Sequence, residues 1–255
     1  MVRIIGIASG KGGVGKTTLG INIGAALSQQ FKKDVTIVDC NVTTSHLGLY
    51  LGMYYCPITL NKVLRGEYDV EESIQSHHTG LKIIPASLSI SDLEGIDMSQ
   101  IRNKMKSIFK KNDIILLDGS PGLGREALST LKASDEILYV TNPYIPSVMD
   151  IVRNQEVVSG LDAKPLGVVL NMVHNKKYEM TREEVEEMTK LPVIAKIPFD
   201  ADIHKSLALK APVVTYNPHA SSSREIIRLA SNLIGQRYES GESALQRFLN
   251  KLRIR

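Results

Sequence analysis

The 255-residue sequence lacks several features whose absence excludes classes of protein. No apolar run approaches the roughly 18 residues that a membrane-spanning helix needs. The first residues include no small-residue cleavage site, so we expect no secretory signal peptide. The only cysteines, Cys40 and Cys56, form no C-x-x-C pair, which indicates reduced thiols in a cytosol. No low-complexity tract is present.

What remains is an ordinary globular composition. Hydrophobic residues make up 43% of the chain and charged residues 23%. The net charge of +4 permits an anionic partner without requiring one. The length suits one large α/β domain, and we expect residues 1–240 to form it.

Short β-branched runs alternate with segments of helical period. The predicted strands are Ile4–Ala8, Val35–Val38, Leu81–Pro85, Ile114–Leu117, Ile137–Thr141, Gly167–Asn171 and Val193–Ile197. Predicted helices include Thr17–Gln29, Ile101–Lys111 and Val148–Gly160, and capping boxes are expected at Thr181 with Glu184 and at Ser222 with Glu225. This alternation predicts a three-layer, doubly wound α/β fold with a mostly parallel sheet.

The segment SGKGGVGKTT, which follows the first strand, contains the pattern G-x-x-x-x-G-K-[ST] of a P-loop. Backbone amides and a helix N-terminus can bind phosphate there, Lys16 can bridge the outer phosphates, and Thr17 can ligate Mg²⁺. We predict nucleotide contacts from the whole loop, which comprises Gly10, Lys11, Gly12, Gly13, Val14, Gly15, Lys16, Thr17 and Thr18. Lys11 has no place in that pattern.

Two acids follow buried strands at positions where a metal-side carboxylate is expected. Asp118 ends the run DIILLD, and Asp39 ends the run DVTIVD. A single acid at a strand end is often a helix cap or a loop residue. Two in one nucleotide-binding sheet favour roles near Mg²⁺, so we predict Thr17, Asp39 and Asp118 as its ligands.

These segments resemble the MinD/ParA family of deviant Walker A ATPases. KGGVGKTT is similar to the family's Walker A motif, VDCNVTTSHLGLYLG to its first switch and DGSPGLG to its second. GVVLNMV and VIAKIPFD resemble the strands whose ends enclose the adenine, and the similarity extends from Arg3 to about Gln236. The order and spacing of these motifs favour MinD-like members of archaeal type.

The resemblance implies functions for several residues. Lys11 corresponds to a lysine that reaches the partner's phosphates in an ATP-bound homodimer, so ATP and dimerisation would be coupled. Asn171 would contact the adenine, with Pro198 and Asp200 on the opposite wall. A scaffold for an iron–sulfur cluster is excluded, since that chemistry needs cysteine ligands that the corresponding segments lack.

The sequence departs from the family at Asn41, where a second acid usually positions the attacking water. An amide oxygen accepts a hydrogen bond but cannot take a proton. Gly124 likewise stands where relatives often have an acid. We therefore expect Asn41 to position the water poorly, so that ATP hydrolysis is slow or is lost. Replacing it with an acid, Asn41→Asp, should raise the rate of hydrolysis about tenfold.

The last residues, 241–255, are predicted to form an amphipathic helix that binds the inner leaflet of a membrane. A capping box at Ser243 and Gln246 would begin it. One face would be apolar and its flanks basic, and the predicted contact residues are Leu245, Arg247, Phe248, Leu249, Lys251 and Leu252. The alternative is a helix that docks on its own domain.

The leading hypothesis is therefore a cytoplasmic, membrane-associating, ATP-driven dimeric switch that positions a cellular machine, together with an activating or cargo protein. One alternative is a nucleoid-binding partition ATPase. Its candidate surface is a basic helix with Arg102, Lys104, Lys106, Lys110 and Lys111, although a solvated helix face is the favoured explanation of these residues. Another alternative is an ATP-binding scaffold with little hydrolysis.

Overall fold

The computed structural model describes residues 2–238, and the predicted tail, residues 241–255, lies outside them. Within the described residues, eight strands form one sheet in the order β3-β4-β2-β5-β1-β6-β7-β8. All neighbouring strands are parallel except β3 and β4. The strands are β1 Arg3–Ala8, β2 Val35–Asp39, β3 Gln75–Ser76, β4 Lys82–Ile84, β5 Ile114–Asp118, β6 Glu136–Thr141, β7 Lys164–Val173 and β8 Val193–Pro198.

The central strands are mostly apolar, as expected for a sheet that helices cover on both faces. In β1, Ile5 and Ile7 join one hydrophobic cluster, whereas Ile4 and Ala8 join clusters on the opposite face. The α-helices are α1 Lys16–Gln29, α2 Leu47–Tyr50, α3 Leu60–Arg65, α4 Ile101–Lys104, α5 Arg125–Ala133, α6 Ile145–Val158, α7 Arg182–Thr189, α8 Ala201–Ala208, α9 Val213–Tyr216 and α10 Ser221–Leu233. The predicted three-layer α/β fold is confirmed.

The strand order reverses direction around β1. From β1 the chain moves outward to β2, returns through β5, and then continues on the other side of β1 through β6, β7 and β8. In doubly wound sheets, ligands bind beyond the carboxyl ends of the strands at such a reversal. The loop that follows β1 therefore occupies the position where a ligand site is expected.

The prediction of one helix over Ile101–Lys111 is wrong. The α-helix ends at Lys104, and Lys106–Lys111 form a 3₁₀-helix. The buried Asn112 amide closes this segment by donating a 2.9 Å hydrogen bond to the Ile108 carbonyl. Because the helix type changes at Met105, the basic residues do not share one continuous helical face. Arg102 Nη2 also lies 2.7 Å from Asp135 Oδ1.

Other differences lie at helix ends. Helix α6 begins at Ile145, ahead of the predicted Val148, with proline in its first turn. The capping box at Thr181 and Glu184 is present, but the one predicted at Ser222 is wrong. Helix α10 already begins at Ser221, and the Ser222 hydroxyl donates to Asp200 instead. Across residues 2–238, no helix has the length and apolarity required to cross a bilayer.

Candidate functional site

Glycines shape the loop between β1 and α1. Gly13 and Gly15 have φ values of 79° and 90°, a region that favours glycine. A Cβ on Gly10 would lie only 1.9 Å from the Cβ of Asp150, so α6 can approach the loop only because residue 10 is glycine. Helix α1 has neither a capping side chain nor an acid in its first turn, which leaves its N-terminus suited to an anion.

The two lysines of this loop lie in different environments. Lys16 is only 8% exposed. Burial lowers the pKa of its ammonium group, and the charge of Asp118 opposes that shift. Lys11 is exposed, and its side chain makes no hydrogen bond or ion pair with residues 2–238. Lys16 is thus positioned to serve its own site, whereas Lys11 is free to meet another group.

Asp39 and Asp118 lie side by side at the ends of β2 and β5. Each is 1% exposed. Burial raises the pKa of both carboxyl groups, and the charge of Asp118 raises that of Asp39 further. Two buried acids beside one lysine leave this region short of positive charge. A divalent cation would supply it.

Asp118 offers a ligand for such a cation. Its Oδ2 accepts a 2.6 Å hydrogen bond from the Thr17 hydroxyl, while its Oδ1 is buried without a partner among residues 2–238. Carboxylate and hydroxyl oxygens suit Mg²⁺, which usually retains water and phosphate oxygens as further ligands. In the described part of the chain, no three His, Cys, Asp or Glu side chains converge on one point. Thr17 and Asp118 therefore fit Mg²⁺ carried with a nucleotide.

The Asp39 carboxylate accepts hydrogen bonds from the loop that follows β2. The donors are the Ser45 hydroxyl at 2.7 Å, the Asn41 backbone N–H at 3.1 Å and the Leu47 backbone N–H at 3.4 Å. These contacts fix residues 40–47, the part of the VDCNVTTSHLGLYLG segment that follows β2. We use the name first switch for these residues from here on. A direct contact between Asp39 and a metal stays a prediction.

Asn41 connects the first switch to residues 119–126, which follow β5 and include the DGSPGLG motif beyond Asp118. We use the name second switch for these residues from here on. Its Oδ1 is 3.0 Å from the Thr44 hydroxyl and 3.0 Å from the Ser120 hydroxyl. The Ser120 hydroxyl also hydrogen-bonds Glu126, whose other carboxylate oxygen accepts from Thr43. The Ser120 hydroxyl therefore links the Glu126 carboxylate to the Asn41 side chain.

Sequence reasoning missed Glu126. The acid that relatives often have at this point is replaced by Gly124, which in the structure is the N-cap of α5. Glu126 lies in the first turn of that helix, where a carboxylate also interacts well with the helix dipole. The available signal was an acid just after the DGSPGLG motif.

A cavity of about 490 Å³ extends from the loop across the carboxyl edge of the sheet. It includes the predicted Asn171, Pro198 and Asp200. Its other lining residues are Gly12, Gly13, Gly15, Lys16, Thr17, Thr18, Leu19, Asn41, Thr44, His46, Tyr50, Pro121, Met172, Phe199, Ile203, His204, Leu207 and Ile226. A volume of this size accommodates a nucleotide-sized ligand.

Two of the residues that are predicted to contact the base also make hydrogen bonds within the protein. The Asn171 amide donates a 2.7 Å hydrogen bond to the Val14 carbonyl, which ties β7 to the P-loop. The Asp200 carboxylate caps α8 and accepts from Ser221 and Ser222. Phe199, which we did not predict, is 47% exposed and stacks on His174 with ring centroids 4.6 Å apart. Its ring offers a flat apolar wall.

Comparison with known proteins identifies relatives that are P-loop NTPases, in agreement with the phosphate-binding loop described above. Residues 1–234 match the family model described as ParA, NUBPL iron-transfer P-loop NTPase. An uncharacterized ATP-binding protein of Methanocaldococcus jannaschii is 31% identical, over 99% of this chain and 97% of that protein. The Pyrococcus furiosus cell division ATPase MinD has 32% identity and a TM-score of 0.87, over 92% of this chain and 99% of that chain. Pyrococcus horikoshii MinD, solved with Mg-ADP, has 31% identity and a TM-score of 0.88, over 92% and 97%.

The site and fold define a P-loop NTPase. The chain belongs to the ParA family of these proteins, and MinD proteins are among its relatives in sequence and structure. The resemblance to MinD/ParA ATPases is thus confirmed.

Proposed function

We propose that this protein is an ATP-dependent dimeric switch ATPase that associates with the cytoplasmic face of a membrane and positions a cellular machine, in division-site selection or polar organisation. The contrast between the buried Lys16 and the exposed Lys11 is the main support. One lysine serves the nucleotide of its own subunit, and the other remains for the nucleotide of a second subunit. ATP would then be shared across the dimer interface.

Within one subunit, each part of the site has a separate task. Lys16 and the N-terminus of α1 hold the phosphates, and the walls of the cavity hold the base. Thr17 and Asp118 would hold Mg²⁺, which neutralises phosphate charge when bound. Asn41 orients the water that attacks the terminal phosphate. Phosphoryl transfer depends mainly on such positioning and on charge stabilisation, to which Lys11 adds from the partner subunit.

We propose that turnover is slow. Asn41 accepts a hydrogen bond from water but cannot remove its proton, and the acid at Glu126 is one hydroxyl removed. A slow switch stays in its ATP state until a second protein accelerates hydrolysis. An activating or cargo protein is therefore part of the proposal.

The membrane part of the proposal rests on the sequence of residues 241–255, which lie outside the described residues. We propose a single ATPase domain over residues 1–240 followed by this tail. Basic residues near an anionic leaflet contribute about 1 kcal/mol each, so one short tail binds weakly. Two tails on one ATP-bound dimer bind with avidity, which makes attachment depend on nucleotide. The names of the two Pyrococcus relatives, cell division ATPase and septum site-determining protein, support a positioning role.

Two measurements test the proposal, each made with ADP and with ATP in the presence of Mg²⁺. Light scattering gives the oligomeric state, and sedimentation gives the binding to anionic vesicles. We expect a monomer with ADP, a dimer with ATP, and sedimentation with anionic vesicles only in ATP. A protein that stays monomeric in ATP contradicts the switch. A dimer that ignores vesicles and binds random-sequence DNA in a salt-dependent way would support the partition alternative instead.

A further inference from the structure

We infer that Glu126 is a positioning residue for the hydrolytic water, acting through Ser120 on Asn41. The inference rests on the proposed ATPase function and deepens it, since it identifies the acid that the first switch lacks. Glu126 does not line the cavity, whereas Asn41 does. Any influence of Glu126 on the reaction must therefore pass through another side chain.

The hydrogen bonds provide such a connection. Ser120 Oγ contacts both the Glu126 carboxylate and Asn41 Oδ1, the latter at 3.0 Å. A serine hydroxyl has only one proton to donate. A carboxylate is the stronger acceptor, because hydrogen bonds to charged groups are roughly twice as strong as neutral ones. The proton of Ser120 therefore goes to Glu126.

That choice determines what Asn41 can do. With the Ser120 proton on Glu126, Asn41 Oδ1 receives a proton only from Thr44, although Ser120 Oγ still lies 3.0 Å from it. A carbonyl oxygen accepts over a broad range of directions, so Asn41 Oδ1 can also accept a hydrogen bond from the attacking water on its cavity side. Without the carboxylate, Ser120 would donate to Asn41 Oδ1 and compete with the water for that oxygen.

Glu126 also accepts from Thr43, so it joins the first switch to the second. A purely structural brace would explain that contact without any effect on water. The two explanations differ in one respect. If the carboxylate matters as an acceptor near the water, moving it from residue 126 to residue 41 preserves its effect. If Glu126 is only a brace, moving the charge restores nothing.

Single-turnover ATP hydrolysis and ATP affinity, measured on the full chain, separate these explanations. We expect Glu126→Gln to lower the hydrolysis rate about tenfold and to leave the Kd for ATP within about twofold. The double variant Asn41→Asp with Glu126→Gln should recover to within about threefold of the wild-type rate. Glu156→Gln, the same change at an exposed position in α6, should match the wild type.

Asn41→Asp alone should not accelerate hydrolysis. The tenfold gain expected from the sequence supposed that no other acid lay near. In the structure, this change would place two carboxylates around one hydroxyl. It would also remove the 2.9 Å hydrogen bond from the Asn41 amide to the Thr44 carbonyl.

The possible failures are distinguishable. Wild-type hydrolysis with an unchanged Glu126→Gln rate overturns the role of Glu126 and leaves the ATPase proposal intact. A slow Glu126→Gln that the double variant does not rescue shows that Glu126 is a brace only, and also overturns the inference. A wild-type protein that binds ATP and never hydrolyses it overturns both proposals.

Discussion

The Thr17 hydroxyl donates a 2.6 Å hydrogen bond to Asp118 Oδ2, which joins the first turn of α1 to the end of β5. The other oxygen of Asp118 is buried without a partner among residues 2–238. Burying a charged group without a partner is costly, so this arrangement makes the site least stable when it holds no cation. Ligand binding and folding stability should therefore be linked here.

The first prediction concerns Asp118→Asn, which keeps the shape of the side chain and removes its charge. Without nucleotide or metal, this variant should be more stable than the wild type by about 1 kcal/mol, because a buried carboxylate is lost. It should also lose the stabilisation that Mg²⁺ and ATP confer. Thermal unfolding with EDTA and with Mg-ATP checks both effects. A variant that Mg-ATP stabilises as much as the wild type would remove Asp118 from the metal site.

The second prediction concerns pH. Burial raises the pKa of Asp39 and Asp118, so the folded state keeps their protons to higher pH than the unfolded chain does. The stability from these groups is present at low pH and is lost as pH rises from about 3.8 through the raised pKa values. Urea unfolding with EDTA at pH 5 and pH 8 should show a larger loss for the wild type than for Asp118→Asn. Equal losses would contradict the assignment.

The third prediction separates the two lysines of the P-loop. Lys16→Ala should abolish nucleotide binding, because it removes the buried cation of the site. Lys11→Ala should keep ATP affinity and lose the ATP-dependent dimer. Equilibrium binding of a fluorescent ATP analogue and light scattering measure the two properties separately. If Lys11→Ala still dimerises fully in ATP, Lys11 does not act across the interface.

The fourth prediction concerns the tail. Deletion from Ser243, or Phe248→Glu, should abolish ATP-dependent sedimentation with anionic vesicles while leaving the ATP-bound dimer intact. The reason is that the apolar face and its flanking basic residues supply the proposed membrane contact. Phe248→Leu keeps that face apolar and is the matched control. The tail is not the anchor if the truncated protein sediments as well as the full chain.

The fifth prediction concerns the base. Phe199→Ala should weaken ATP binding about tenfold, because stacking of a base on an aromatic ring contributes about 1–3 kcal/mol. Binding of inorganic tripolyphosphate, which has no base, should be unchanged. Competition against a fluorescent nucleotide measures both ligands. Equal losses for the two ligands would mean that Phe199 supports the site without contacting the base.

Local sequence determined the phosphate-binding loop and the acids beside it. The glycines between β1 and α1 allow backbone conformations and close approaches that side chains would block. Their spacing is therefore visible in the sequence, and it identifies Lys16 and Thr17 as the residues that follow the last glycine. Asp39 and Asp118 were predictable because each ends a continuous apolar strand, and the ends of parallel strands meet at one edge. The capping box at Thr181 likewise depends on residues only three positions apart.

Only the tertiary structure determined the contacts between residues that are far apart in the sequence. Glu126 meets Thr43 across 83 residues of chain, a contact that requires two switches on neighbouring strands. Ser222 looked like a helix cap, yet Asp200 captures its hydroxyl from 22 residues away. Phe199 lines the cavity next to His204 of α8 and His174, which follows β7, and 30 residues of chain separate the two histidines. Local spacing specifies contacts within a turn, whereas these partners are chosen by how strands and helices pack, which no short window of sequence encodes.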